Sequence, residues 1–220
     1  KTKKHLLIEK PLCSKLEDCI ELKKISKEYN SIIWVAMEYR FMPPIQKMLE
    51  EINKNRIGKL QMISIREHRF PFLKKVDDWN RFQINTGGTL VEKCCHFFDL
   101  MRLITNSEAT QVYASGSQSV NHLDEKYNDK IPDIIDNAFV TVDFKNHIRA
   151  SLELCMFAEN SEMQEELCAI GNKGKIETGV PSNSSGINSS NVRIGLRNSE
   201  NSINEKVEVD KNILAAGQHH

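Results

Sequence analysis

The chain has 220 residues, 40% of them hydrophobic, with 30 Lys+Arg balanced by 30 Asp+Glu and a formal net charge of zero. This length and apolar share suit a globular protein holding one large domain, or one domain with part of another. A balanced charge offers no basic field for a polyanion and no acidic tail, which argues against nucleic acid as a partner.

No apolar run approaches the ~20 residues needed to cross a bilayer. Lys1-Thr2-Lys3-Lys4 is followed by only Leu6-Leu7-Ile8 before Glu9-Lys10, which is neither a membrane span nor a signal peptide. The six cysteines (Cys13, Cys19, Cys94, Cys95, Cys155, Cys168) show no CxxC spacing. Reduced thiols and a cytoplasmic location are therefore expected.

His5 to Ile8 is a short apolar run that predicts a strand. Ser14-Lys15-Leu16-Glu17 has the S-x-x-E spacing of a capping box, and Leu16, Cys19, Ile20, Leu22 and Ile25 recur at helical spacing up to Tyr29-Asn30. Ile32 to Met37 is continuously apolar, the pattern of a buried strand. Strand, helix and strand predict a parallel, right-handed unit in a sheet covered on both faces. Only one such unit is present, so residues 1–38 read as the end of a doubly wound sheet and the chain as a fragment or one piece of a split polypeptide.

The pattern changes after Arg40. Pro43-Pro44 can open a helix carrying Ile45, Met48, Leu49 and Ile52, and Leu60 to Ile65 is strand-like. Further strands are expected at 111–115, 138–144, 148–156, 166–170, 192–196 and 206–209, with Lys145-Asn146-His147 as a hairpin turn and the low-complexity stretch Ser182 to Asn191 as a loop. Residues 39–220 thus read as a second, α+β domain built on a large, mainly antiparallel open sheet with helices on one face.

Between Gly87-Gly88 and Thr105 the sequence predicts one helix, nearly apolar around its circumference. Glu92, His96 and Asp99 stand at i, i+4 and i+7 and form a narrow titratable stripe. The stripe can be a solvated face, a metal site or, in a buried wall, a carboxylate setting the tautomer and basicity of an imidazole. No second His or Cys cluster at ligand spacing accompanies it, so no metal is assigned. Lys10 directly follows a parallel strand, where open α/β sheets bind ligands, although a lone lysine is more often a surface charge. Pro11 can fix the turn after it, through a cis bond if need be.

Taken in order, His5-Leu6-Leu7-Ile8-Glu9-Lys10-Pro11, Arg40-Phe41 with Pro43, and Gly87-Gly88 with Glu92, His96 and Asp99 resemble the glucose-fructose oxidoreductase and inositol dehydrogenase family (Gfo/Idh/MocA). Asp136-Asn137-Ala138, Gly171-Asn172-Lys173-Gly174 and Gly217-Gln218-His219-His220 are similar to further family landmarks, and Lys1 to Lys4 to the end of a helix leading into the Glu-Lys-Pro strand. The resemblance implies that residues 1–38 are the C-terminal part of a Rossmann NAD(P)-binding domain and residues 39–220 a substrate-binding and oligomerisation domain. It implies Lys10, His96 and Glu92 as catalytic residues, with His96 the base and Lys10 the electrostatic and positioning group. Glu9, Lys10, Pro11 and Arg40 would lie near the cofactor, and Glu92, His96 and Trp79 near the substrate.

Glu92 stands where the family usually has Asp, one methylene longer, which puts the identity of the substrate in doubt. The implied activity is hydride transfer between NAD or NADP and a secondary alcohol of a sugar, sugar derivative or cyclitol. A homo-oligomer is expected, with no nucleic-acid or membrane partner. The glycine-rich dinucleotide fingerprint is absent from these residues, so the 220-residue chain alone is expected to be inactive. The rival reading is a non-catalytic binding or regulatory protein on the same fold.

Overall fold

A computed structural model describes residues 4–181 and 189–208. Lys1–Lys3 and Gly217–His220, given roles above by resemblance, lie outside the described residues. The first unit is β1 (Leu6–Ile8), α1 (Leu16–Lys27) and β2 (Ile33–Val35), with β1 and β2 parallel and Leu7 opposite Trp34. The expected strand-helix-strand order is present, but two details differ. Helix α1 starts after Lys15 rather than Ser14 and has no side-chain cap, so the capping box does not form. The unit is also not a covered core: α1 buries none of its residues, and Leu7 and Trp34 are 74% and 52% exposed. Among the described residues no second layer packs over this small sheet, which is why a continuous apolar pattern does not mean burial here.

A 3-10 turn (Glu38–Phe41) leads into α2 (Pro43–Asn53), whose first-turn prolines occupy positions where an amide would have no helical partner. Ile45 and Met48 of α2 are fully buried. The large sheet is built from β3 (Leu60–His68), β4 (Ala109–Ser117), β5 (Asn137–Phe144), β6 (Arg149–Cys155), β7 (Met163–Gly171), β8 (Gly174–Pro181), β9 (Ser189–Leu196) and β10 (Ile203–Glu208). Its order is β10-β9-β8-β7-β3-β6-β5-β4, antiparallel throughout except for the parallel pair β3 and β6. The sheet is mixed and open, with helices on one face, as expected.

The period of two decides which residues form the core. Ile63 and Ile65, Ala138, Val140 and Val142, Ala150, Leu152 and Leu154, Leu167 and Ala169, and Val192 and Ile194 all face inward. The opposite face is polar, with ion pairs His68–Glu153, Lys175–Glu177 and Arg193–Glu177 and a contact between Arg66 and Glu166. Strand β8 was not expected from the sequence, because glycines and a proline dilute the alternation of Ile176, Thr178 and Val180. Residues 189–191 belong to β9 rather than to the expected loop, since Ser190 turns inward beside Thr178.

Two short helices, α3 (Gln83–Thr86) and α4 (Thr89–Glu92), and a longer one, α5 (Cys95–Thr105), cover the inner face. The single helix expected from Gly88 to Thr105 is therefore broken at Lys93-Cys94, where Cys94 leaves helical geometry at φ −89° and ψ 0°. Phe97, Leu100 and Met101 of α5 are fully buried. Gly87 ends α3 in the left-handed region at φ 80°, and a Cβ there would lie 2.7 Å from the Ser14 carbonyl oxygen. Gly87→Ala should therefore cost about 1–3 kcal/mol of stability. Urea unfolding checks this, and an unchanged midpoint would show that the Ser14 loop yields freely.

Candidate functional site

Lys10 sits at the carboxyl end of β1, and the Lys10–Pro11 peptide is cis. Its ammonium reaches across to the helical layer, where Nζ donates to the Glu92 carbonyl oxygen at 3.0 Å. A helix end leaves its last carbonyls to outside donors, and the break after α4 makes this one available. The same carbonyl accepts the Cys95 thiol at 3.8 Å. Glu92 itself is buried, and its Oε2 has no hydrogen-bond partner among the described residues.

His96, in the first turn of α5, is 4% exposed. Its ring stacks on Tyr39, with centroids 4.4 Å apart and planes 10° apart, while Phe97 meets Tyr39 edge-on at 5.6 Å. The neighbouring Glu38 places Oε1 3.4 Å from His96 Nε2. Burial raises the Glu38 carboxyl above its usual pKa, and the Lys10 and Lys93 cations pull against that rise. Arg40, next in the same turn, grips Asp99 with Nε to Oδ2 and Nη2 to Oδ1, both at 2.5 Å.

Behind Tyr39 lies a buried group of charges. Its hydroxyl donates to Glu165 Oε1 at 2.7 Å, and Gln164 Nε2 donates to the same oxygen at 2.6 Å. Glu165 on β7 stands directly opposite Glu67 on β3, both on the inner face, and Arg69 Nη1 donates to Glu67 at 3.0 Å. Burial first, and the Glu67 carboxylate second, push the Glu165 carboxyl up to about 7. Lys93, with Nζ 5.3 Å from the Phe72 ring centre, is brought down to about 7 by burial and by the Arg69 and Lys10 cations.

Of the residues named from sequence, Lys10, flanked by Glu9 and Pro11, reaches the main chain of Glu92 at the α4–α5 break, and His96 lies in the first turn beyond that break. The i, i+4, i+7 stripe does not survive as one face, since the helix breaks inside it and Asp99 turns to Arg40. Two nitrogens of Arg40 are committed to Asp99, and the residue lines a cavity of about 380 Å³ with Leu12, Trp34, Val35, Met37 and Phe41. Trp79, expected near Glu92 and His96, instead lines a separate cavity of about 630 Å³ with Phe82, Ile84 and Tyr127, and neither Glu92 nor His96 lines it. Glu38 and Tyr39 were not singled out from sequence; their only signal was adjacency to Arg40-Phe41. Among the described residues no group of His, Cys, Asp and Glu could hold a metal ion, and no helix is long and apolar enough to cross a membrane.

Residues 49–218 match the model of an oxidoreductase family's C-terminal alpha/beta domain, GFO_IDH_MocA_C. Myo-inositol 2-dehydrogenase of Thermotoga maritima is 30% identical over 146 residues, which cover 66% of this chain and 41% of that protein. The WlbA dehydrogenase of Bordetella pertussis, solved with NADH and UDP-GlcNAcA, shares the fold at a TM-score of 0.65 and 18% identity over 80% of this chain and 51% of that one. A super-repressor mutant of Gal80p from Saccharomyces cerevisiae does so at 0.74 and 15%, over 94% and 54% of the two chains. The chain spans about two fifths of the length of the curated relatives it matches.

The raised Glu165 carboxyl makes stability depend on pH. Its folded pKa of about 7 lies above the ordinary 4.5, so the folded state holds a proton that the unfolded state has lost, and this contribution falls as pH rises from 4.5 through 7. Lys93 works in the opposite sense, its contribution being lost as pH falls from 10.5 to about 7 and unchanged below that. Glu165→Gln keeps an acceptor for Tyr39 and removes only the first effect. It should gain about 1–3 kcal/mol relative to wild type between pH 5 and pH 8. Urea unfolding at the two pH values measures this, and a difference that does not vary with pH would refute it.

Proposed function

The chain belongs to the Gfo/Idh/MocA oxidoreductase family, and on that premise we propose that it supplies the substrate site of an NAD(P)-dependent enzyme moving hydride to or from a secondary alcohol of a sugar, sugar derivative or cyclitol. The observation that supports this reading is the hydrogen bond from Lys10 Nζ to the Glu92 carbonyl oxygen, which brings an ammonium from the end of β1 to the break between the helix that bears the buried Glu92 and the helix that bears the buried His96. The similarity to myo-inositol 2-dehydrogenase supports a polyol as substrate. We assign residues 1–38 to the nucleotide-binding side and 39–220 to the substrate side.

The chemistry asks for a proton acceptor and for a group that tolerates negative charge on oxygen, because a carbinol carbon gives up hydride only as its hydroxyl gives up a proton. His96 takes that proton. Lys10 stabilises the developing oxyanion and, tied to the Glu92 carbonyl, holds a fixed position relative to the imidazole. Glu92 accepts a substrate hydroxyl through its unpartnered Oε2. When bound, the nicotinamide supplies the hydride acceptor or donor.

The residues present fit the ring end of that cofactor, since the cavity of about 380 Å³ beside Trp34, Val35 and Arg40 opens at the carboxyl ends of parallel strands, where such ligands bind. Arg40 lines it, with the part of its guanidinium that Asp99 leaves over, and Glu9, Lys10 and Pro11, just before its lining residue Leu12, are assigned to the same side. Residues 1–57 contain no glycine, so no glycine-rich phosphate turn lies in this stretch. The second reading is a non-catalytic binding or regulatory protein, since a fold does not fix function and this one is shared with Gal80p, a protein with a super-repressor mutant.

In the full-length protein, His96→Ala should lower turnover by about two to four orders of magnitude while the fold persists. Steady-state rates across pH with myo-inositol and related polyols test this, and wild-type rates in the variant would remove His96 as the base. Lys10→Met should likewise depress turnover without shifting the unfolding midpoint. Absence of any cofactor-dependent turnover in the wild type, with ligand binding intact by calorimetry, would favour the non-catalytic reading.

A further inference from the structure

Two consecutive residues of one 3-10 turn meet the same buried imidazole from different directions. Tyr39 covers its face, and Glu38 approaches its edge at Nε2. The Tyr39 ring is fixed at its far end by Glu165 and at its side by Phe97, and Glu38 Oε1 is shielded from solvent although the side chain as a whole is 31% exposed.

We propose that Glu38 is the carboxylate partner of His96, a positioning residue that fixes the edge of the imidazole and stabilises its protonated form. This rests on the reading of His96 as the proton acceptor. A ring stacked on one face can still turn over by 180° about its Cβ–Cγ bond and keep the stacking, and a carboxylate at one nitrogen selects one of the two orientations. The distance of 3.4 Å is longer than a tight hydrogen bond, as suits a pair that closes when the ring gains its proton.

The charges around this pair set the sign of the effect. Lys10 from the end of β1 and Lys93 from the helix break favour the charged form of Glu38, and Glu9 beside Lys10 opposes it. Glu38, 3.4 Å from Nε2, favours a proton on His96. Cys95 precedes the ring on α5, and Asp99 on the same helix is neutralised by Arg40. Glu67, Arg69 and Glu165 lie behind Tyr39. The Glu38 carboxylate is thus the partner proposed to hold a proton on the His96 ring at Nε2.

The test is an NMR titration of the imidazoles in the full-length protein, with His96 assigned by its own substitution. In Glu38→Gln the apparent pKa of His96 should fall by about half to one unit, a threefold to tenfold loss in proton affinity, while the other histidines titrate as before. Glu38→Asp should restore part of the shift. A His96 titration that stays in place or moves upward in Glu38→Gln overturns the pairing. If His96→Ala abolishes turnover while Glu38→Gln leaves the titration unmoved, the base stands and the pairing falls. If the titration moves but His96→Ala retains full turnover, the pairing stands as an electrostatic fact and the assignment of the base falls.

Discussion

The structure depends on what the 3-10 turn at Glu38–Phe41 does immediately after β2. Three successive side chains leave it for three different partners: Glu38 for His96, Tyr39 for Glu165 and Arg40 for Asp99. A tight turn projects consecutive side chains in divergent directions, so one short segment can join the small parallel sheet, the helix α5 and the large sheet at once. The three contacts gather where these elements meet, and none of the elements makes them alone.

That junction is bought with buried charge. Glu67 and Glu165 face each other across neighbouring strands inside the core, where like charges repel and both are stripped of water. Arg69 offsets Glu67, while Tyr39 and Gln164 both donate to Glu165. An apolar core would be more stable at these positions, but it could not supply an acceptor for the Tyr39 hydroxyl. The same low-polarity setting keeps Lys93 close to losing its proton beside the site.

Much of the sheet was legible in the sequence because alternation survives wherever one face meets a core and the other meets solvent, as in 138–144 and 149–155. Strand β8 was hidden by its glycines, and the burial of β2 was overstated because apolar composition says nothing about whether a neighbour is present to cover it. Lys10, Glu92 and His96 were proposed through their order along the chain, and the structure brings Lys10 to the Glu92 carbonyl. The helix break at Lys93-Cys94 carried no glycine or proline to announce it, and with it went the expected partnership of Asp99 in the stripe. Glu38 and Tyr39 escaped notice because their importance arises from contacts 58 and 126 positions away, to His96 and Glu165, which no local pattern encodes.

The close approach of Gly87 to the Ser14 carbonyl has a mechanical meaning when set beside two other contacts. Lys10 to Glu92 and Ser14 to Gly87 join the segment between β1 and α1 to the helical layer, and Arg40 to Asp99 joins it from the turn that follows β2. A body held at one point can pivot in every direction, and one held at two can still roll about the line between them. A third attachment off that line removes the roll. The small sheet is thus seated like a tripod on the α3–α5 layer, and lifting any one foot leaves a single defined axis of rotation through the remaining two.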